Sequence, residues 1–213
     1  DAKTKLEGII LKTPLTYAPF LSEEFDSNVF LKKENLQLTG SFKIRGAFNK
    51  VASLDEETRN IGIVAASAGN HAQGIAYAGN YFGCDATIFM PEATPLTKVS
   101  GVRQYGANVV LTGQNYETFI HAFADDKVIA GQGTIGLEII EQIEDLDVIV
   151  IPIGGGGLIA GAAVAAKSIN PNIKIVGVVA SGARGMKDSF EARLPIDSTS
   201  VKTIADGIAV KVV

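Results

Sequence analysis

The chain has 213 residues, 46% hydrophobic and 20% charged, with a formal net charge of −4. This is enough apolar material for one large or two small cores, and the scattered Lys and Arg residues form no basic run that would suit nucleic acid or a polyanion. The single cysteine, Cys84, excludes an internal disulfide and fits a reducing cytoplasm; two histidines and one cysteine argue against a zinc site; and no apolar run is long enough to span a bilayer.

Asp1 to Lys5 lack the apolar core of a signal peptide, so a soluble, cytoplasmic chain is expected, with no membrane or nucleic-acid partner. In chain order, the first strand is expected over Asn28–Lys32 and the first helix over Phe42–Ser53. Lys32 and Lys33 read as solvated surface lysines. A strand Gly62–Ala66 then leads into a helix Asn70–Phe82 rich in small residues, followed by a strand Ala86–Met90 closed by Pro91. A helix Thr97–Tyr105 and a strand Asn108–Thr112 come next. The second half reads as helix Val128–Ile143, strand Val148–Ile153, helix Leu158–Ile169 and strand Lys174–Ala180. Alternating strands and helices imply parallel sheets with crossover helices, and continuous apolar strands imply sheets covered on both faces. The stretch between Thr112 and Val128 holds no full crossover helix, and the chain ends at Val213 in a strand-like run. Both features suggest an incomplete chain, with residues missing near Phe119 and Ile120 and beyond the C-terminal end.

Three motifs carry chemistry. Gly154-Gly155-Gly156-Gly157 lies between a strand and a helix, where backbone N–H groups and the helix dipole can cradle a phosphate; the plainer reading is a flexible turn. Gly155 to Ala160 also fits the dinucleotide pattern G-x-G-x-x-A. No Asp or Glu ends the next strand, which counts against NAD, while Ser181 and Arg184 leave an NADP-dependent oxidoreductase open. Ser67-Ala68-Gly69-Asn70-His71-Ala72-Gln73-Gly74 opens another helix, with Ser67 as a possible cap and N–H groups suited to a small carboxylate. His71 by itself is assigned no general-base role. Lys43, in Thr39-Gly40-Ser41-Phe42-Lys43-Ile44-Arg45-Gly46-Ala47, sits among apolar neighbours that favour an uncharged, nucleophilic amine. From those residues alone, a solvated surface lysine is the stronger reading.

These stretches, with Asn35 to Ala47, Ser67 to Gly74 and Gly154 to Gly161 in this order, resemble the fold-type II pyridoxal-phosphate enzymes, the tryptophan synthase β-like group, and among them the threonine dehydratases (threonine ammonia-lyases). Lys12 to Leu15, Ile129 to Thr134 and Ala205 to Val210 match as well, so the similarity covers nearly the whole chain. The resemblance implies a two-domain α/β fold with parallel-rich sheets flanked by helices. A large domain would comprise residues 1–52 and 120–213, and a small inserted domain, residues 53–119, would close over it.

The same resemblance implies the cofactor pyridoxal 5'-phosphate, joined to Lys43 as a Schiff base, with Lys43 later moving the substrate's α-proton. Phe42 would lie against the pyridine ring and Asn70 would meet its 3-hydroxyl. Gly154, Gly155, Gly156, Gly157 and Leu158 would hold the phosphate, and Ser67, Gly69 and His71 the substrate carboxylate. The implied reaction is deamination of L-threonine to 2-oxobutanoate and ammonia, with L-serine giving pyruvate. Serine racemase, serine dehydratase and β-replacement enzymes share the fold and remain alternatives, as does an incomplete fold that binds cofactor poorly. Ala68 stands where serine racemases carry a second serine, which favours elimination. Ser181 stands where relatives usually have an acidic residue, and no metal is expected. The family's partner for the pyridine nitrogen has no match. Relatives are usually dimers or tetramers, so a homo-oligomer is expected. Members serving isoleucine biosynthesis carry a C-terminal regulatory domain, and the sequence leaves a biosynthetic or a catabolic role open.

Overall fold

The computed structural model describes residues 1–112, 122–198 and 201–211. The expected break near Phe119 and Ile120 lies outside the described residues. The elements are α1 (Ala2–Leu6), β1 (Leu15–Tyr17), α2 (Pro19–Glu24), β2 (Phe30–Lys32), a 3-10 turn (Glu34–Leu36), α3 (Lys43–Ala52), α4 (Glu56–Ile61), β3 (Ile63–Ala66), α5 (Asn70–Phe82), β4 (Ala86–Pro91), α6 (Leu96–Arg103) and β5 (Asn108–Thr112). They continue as α7 (Asp126–Gln142), β6 (Val148–Pro152), α8 (Gly157–Ile169), β7 (Lys174–Val178), α9 (Gly185–Ala192) and a second 3-10 turn (Asp206–Ile208). Every element expected from the sequence between Asn28 and Ala180 forms, with ends moved by no more than about two residues, the usual uncertainty of helix and strand limits. No strand forms over residues 209–211 at the C-terminal end.

The ends follow from local chemistry. The Asp125 carboxylate accepts from the N–H groups of Lys127 (2.8 Å) and Val128 (3.1 Å) and starts α7, while Asp55 caps α4 through Thr58 N–H. Gly83, in the left-handed region, ends α5.

Strands β3, β4 and β5 form a parallel sheet in that order, β6 and β7 a second parallel pair, and β1 and β2 an antiparallel pair. Among the described residues β5 and β6 belong to different sheets, and the stretch between Thr112 and α7 in which the sequence lacks a crossover helix lies largely outside the described residues. One core joins Leu6 of α1 and Ala47, Phe48 and Val51 of α3 to α5 and the three-stranded sheet; a second joins α7, α8 and the β6–β7 pair through Ile135, Ile139, Ile149, Ile151 and Ala166. Coverage of both sheet faces holds for β4, whose residues before Pro91 are all at least half-buried. It fails for β6: Ile149 and Ile151 point inward, whereas Val148 (43%) and Val150 (63%) are exposed. Among the described residues nothing packs on that outer face.

Helix α7 lies between the two halves of the site. On one side a Cβ at Gly131 would stand 2.6 Å from Gly46 Cα of α3. On the other, a Cβ at Gly133 would meet Gly161 O of α8 at 2.9 Å, and one at Gly136 would meet Ala162 O at 2.7 Å. Glycine inside a helix costs roughly 0.5–1 kcal/mol relative to alanine. Here that cost is the condition for backbone-to-backbone packing.

Polar groups lock α3 to α7. The Arg45 guanidinium, 1% exposed, donates Nε and Nη2 to Glu34 (both 2.8 Å), Nη1 and Nη2 to Glu138 (2.6 and 3.0 Å), Nη1 to Thr134 Oγ1 (3.1 Å) and Nη2 to the Leu11 carbonyl (3.1 Å). Lys32 enters the same network, donating to Glu138 (2.6 Å), the Thr13 carbonyl (2.7 Å) and Gln142 (2.8 Å). The sequence reading of Lys32 as a solvated surface lysine is therefore wrong: its side chain is 8% exposed, drawn in by the carboxylate of a helix distant in sequence.

Candidate active site

Lys43 is the first residue of α3 and Phe42 is its N-cap. The Lys43 amine is half-buried, lies 5.3 Å from the centre of the Phe42 ring and donates to the Ala122 carbonyl at 3.4 Å. Burial pushes its pKa down. Among the described residues no carboxylate pairs with it, so nothing offsets the loss of hydration of the charged form. An amine held this way is more readily neutral and nucleophilic than a surface lysine.

The tetraglycine joins β6 to α8. Gly156 has φ +88°, a left-handed conformation that suits glycine, and caps α8, which opens at Gly157 without any side-chain cap. The first N–H groups of a helix of 13 residues therefore face a turn with no competing side chain, an arrangement suited to an anion. The turn is also enclosed. Side chains added at Gly155 and Gly157 would collide with Phe123, and one at Gly154 would stand 3.1 Å from Ile208 Cα.

Lys43, Phe42, the four glycines and Leu158 line one cavity, together with Phe123, Gly207, Ile208 and Val210. The structure thus brings together the lysine and glycine motifs, which are more than a hundred residues apart in sequence. The Phe123 ring lies directly on Gly155 within this cavity.

The third motif lies beside this cavity and not on its wall. Helix α5 begins at Asn70, with Gly69 as N-cap. Ser67 does not cap the helix as the sequence suggested; its hydroxyl accepts from Gly69 N–H (3.3 Å), because the helix starts too late for Ser67 to reach its first turn. Asn70 is exposed, Ser67 and Gly69 are half-buried and His71 is buried. One turn on, Gly74 packs on the start of α3, where a Cβ would meet Ile44 Cα at 3.1 Å, so the first turns of α5 and α3 are neighbours. Sequence reasoning assigned no role to Phe123, Gly207, Ile208 or Val210. Ala205 to Val210 matched the family, but only the tertiary structure lays that stretch across the glycines. Arg184, the cation of the dinucleotide reading, pairs with Asp188 at 3.2 Å.

Comparison with known proteins fixes the class. The chain belongs to the pyridoxal-phosphate dependent enzyme family, whose model matches residues 6–213. Within it, the chain is 47% identical to the L-threonine ammonia-lyase of Thermotoga maritima, over 99% of this chain and 56% of that protein. It superposes on the processed form of threonine deaminase isoform 2 from Solanum lycopersicum with a TM-score of 0.92 and 42% identity, covering 96% of this chain and 64% of that one. It is also similar to maize serine racemase, with a TM-score of 0.95 and 35% identity over 99% of this chain and 68% of that one. The chain therefore spans a little over half the length of the Thermotoga relative. That alignment runs over 234 positions against 213 residues, so the relative has positions with no counterpart here. The dinucleotide reading is set aside.

The residues present fit the family's cofactor. A desolvated amine without an acidic partner suits an aldehyde, and side-chain-free N–H groups at a helix start suit a phosphate.

Proposed function

We propose that the protein deaminates L-threonine by β-elimination, giving 2-oxobutanoate and ammonia, with L-serine as a second substrate giving pyruvate. The observation that carries this reading is the shared cavity, in which the half-buried Lys43 amine opens onto the four-glycine turn. Pyridoxal 5'-phosphate, when bound, supplies the electron sink that makes the substrate's α-proton acidic. In this reading Lys43 is the amine that carries the cofactor, and its Nζ then takes the α-proton. The backbone N–H groups of Gly154, Gly155, Gly156, Gly157 and Leu158 hold the phosphate, the Phe42 ring supports the pyridine face and Asn70 meets the 3-hydroxyl. Ser67, Gly69 and His71 receive the substrate carboxylate at the start of α5, beside α3.

The proposed division into residues 1–52 and 120–213 with an inserted 53–119 is supported by the three-stranded sheet, which lies wholly within the insert. Closure of that unit toward α3 would exclude water from the lysine. A cytoplasmic homodimer or homotetramer is the matching assembly, supported by the single free cysteine and by the exposed apolar face of β6.

The test is product analysis of the full protein reconstituted with pyridoxal phosphate. L-threonine should give 2-oxobutanoate and ammonia in equal amounts; absence of both would sink the reading. The second reading, serine racemisation, is favoured by the similarity to the maize enzyme. It predicts D-serine from L-serine, whereas Ala68, which offers no hydroxyl for the opposite substrate face, predicts pyruvate.

A further inference from the structure

We propose that α7 is the spacer that matches the distance between Lys43 and the glycine cradle to the length of the cofactor, and that Gly133 and Gly161 are positioning residues for this purpose. The inference rests on the assignment of the lysine and glycine motifs to one bound molecule.

A molecule anchored at both ends demands a fixed separation between its two anchors. Here the anchors stand on different helices, Lys43 at the start of α3 and the tetraglycine at the start of α8. Both helices pack on α7, on different sides. The α3 side is pinned by directional bonds: Arg45 to Thr134 and Glu138, Asn49 Nδ2 to the Lys127 carbonyl (2.6 Å), and Lys50 to Asp125 (2.7 Å). The α8 side has no such bonds among the described residues. Its spacing is set by backbone against backbone, with Gly133 on Gly161 and Gly136 on Ala162. A Cβ at Gly133 would stand 2.9 Å from Gly161 O, and one at Gly161 would collide with Ile129 O and stand 2.7 Å from Gly133 N, both on α7. Backbone atoms cannot swing aside as a flexible side chain can. An added methyl must therefore push α8 outward by roughly 0.5 Å at Gly133, and by roughly 1 Å or more at Gly161, to reach an ordinary C···O separation. Gly161 lies one turn beyond Gly157, so the movement reaches the cradle directly. The segment leading into α7 adds a second link, because a Cβ at Gly157 would meet Phe123 O at 2.8 Å.

The experiment compares pyridoxal phosphate with pyridoxal, which lacks the phosphate and needs only the lysine. Apo-protein is incubated with each, reduced with borohydride, and labelling of the Lys43 peptide is quantified by mass spectrometry across a concentration series. The unsubstituted protein should label far more readily with pyridoxal phosphate. In Gly133→Ala and Gly161→Ala that preference should fall by about tenfold or more, while pyridoxal labelling persists, since a displacement of under 1 Å is enough to cost this much when two anchors must be met at once. Ile139→Ala, which opens a cavity in the same core without separating the backbones, should keep the preference. Gly136→Ala, whose added Cβ would meet the Ala162 carbonyl oxygen at 2.7 Å, probes the same helix contact one turn away; it too must lower the preference, and decides the matter if the Gly133 and Gly161 variants do not fold. An unchanged preference, or an equal loss of both labels, overturns the spacer role. Absence of Lys43 labelling or of any phosphate preference in the unsubstituted protein overturns the assignment of the site itself.

Discussion

Burying an amine is costly, and Lys43 shows the cost without an obvious structural return. Its pKa is lowered by burial, while the unfolded lysine keeps the ordinary value of about 10.4. Between the lowered folded value and 10.4 the unfolded chain binds more protons than the folded one, so stability rises with pH across that window and is reduced below it. Two outcomes follow. Lys43→Met should abolish threonine deamination and at pH 7 should raise the melting temperature or leave it unchanged; a clear drop in thermal melting would show that the amine is structural. The rate of reductive labelling at Lys43 should climb with pH to a midpoint below 10.4, and a midpoint at or above that value would contradict the desolvated amine. The lysine's neighbours in sequence made the apolar setting legible. The sequence missed Phe123, the residue that fills the space in front of the glycines, because a phenylalanine preceding a helix has nothing local to mark it as part of a site.

The contact between α3 and α7 combines charge and close approach. Arg45 is held by two carboxylates, and removing it would leave Glu34 and Glu138 facing each other with only Lys32 to balance them. Breaking such a buried network by deleting one partner costs about 3–5 kcal/mol. Urea unfolding of Arg45→Ala should show a loss of that order, and Arg45→Lys should recover less than half, since a lysine cannot serve both carboxylates in bidentate fashion. A loss under about 1 kcal/mol would place the pair in the class of weak surface salt bridges. Helix α7 could be read from the sequence over Val128–Ile143, though not its Asp125 cap, and the Gly-Gln-Gly run within it was visible. Which helix each glycine would meet was not, because close backbone approach is a property of two segments and a one-dimensional pattern reports only one.

On the scale of the whole chain, the two parallel sheets differ in how well the described residues cover them. The β6–β7 pair presents Val148, Val150 and Val178 (48% exposed) on one face, next to apolar residues that a parallel sheet ordinarily buries. An apolar face of this kind promotes association. Sedimentation velocity should show concentration-dependent self-association, and Val150→Lys with Val178→Lys should suppress it without lowering the melting temperature; monomeric behaviour of the unsubstituted chain at all concentrations would count against this. By itself, the sequence determined the alternation of strands and helices and the phosphate-suited turn, because each is written in residues within one or two turns of one another; Lys43 was singled out by the order of three motifs that resembles a family, since its local neighbours alone favour a solvated lysine. The tertiary structure alone decided that the two parallel strand groups form separate sheets, that Lys32 is buried against Glu138, and that the lysine and the glycines share a cavity across α7. Those outcomes depend on contacts between segments far apart in the chain, where volume, charge and backbone approach must be satisfied together.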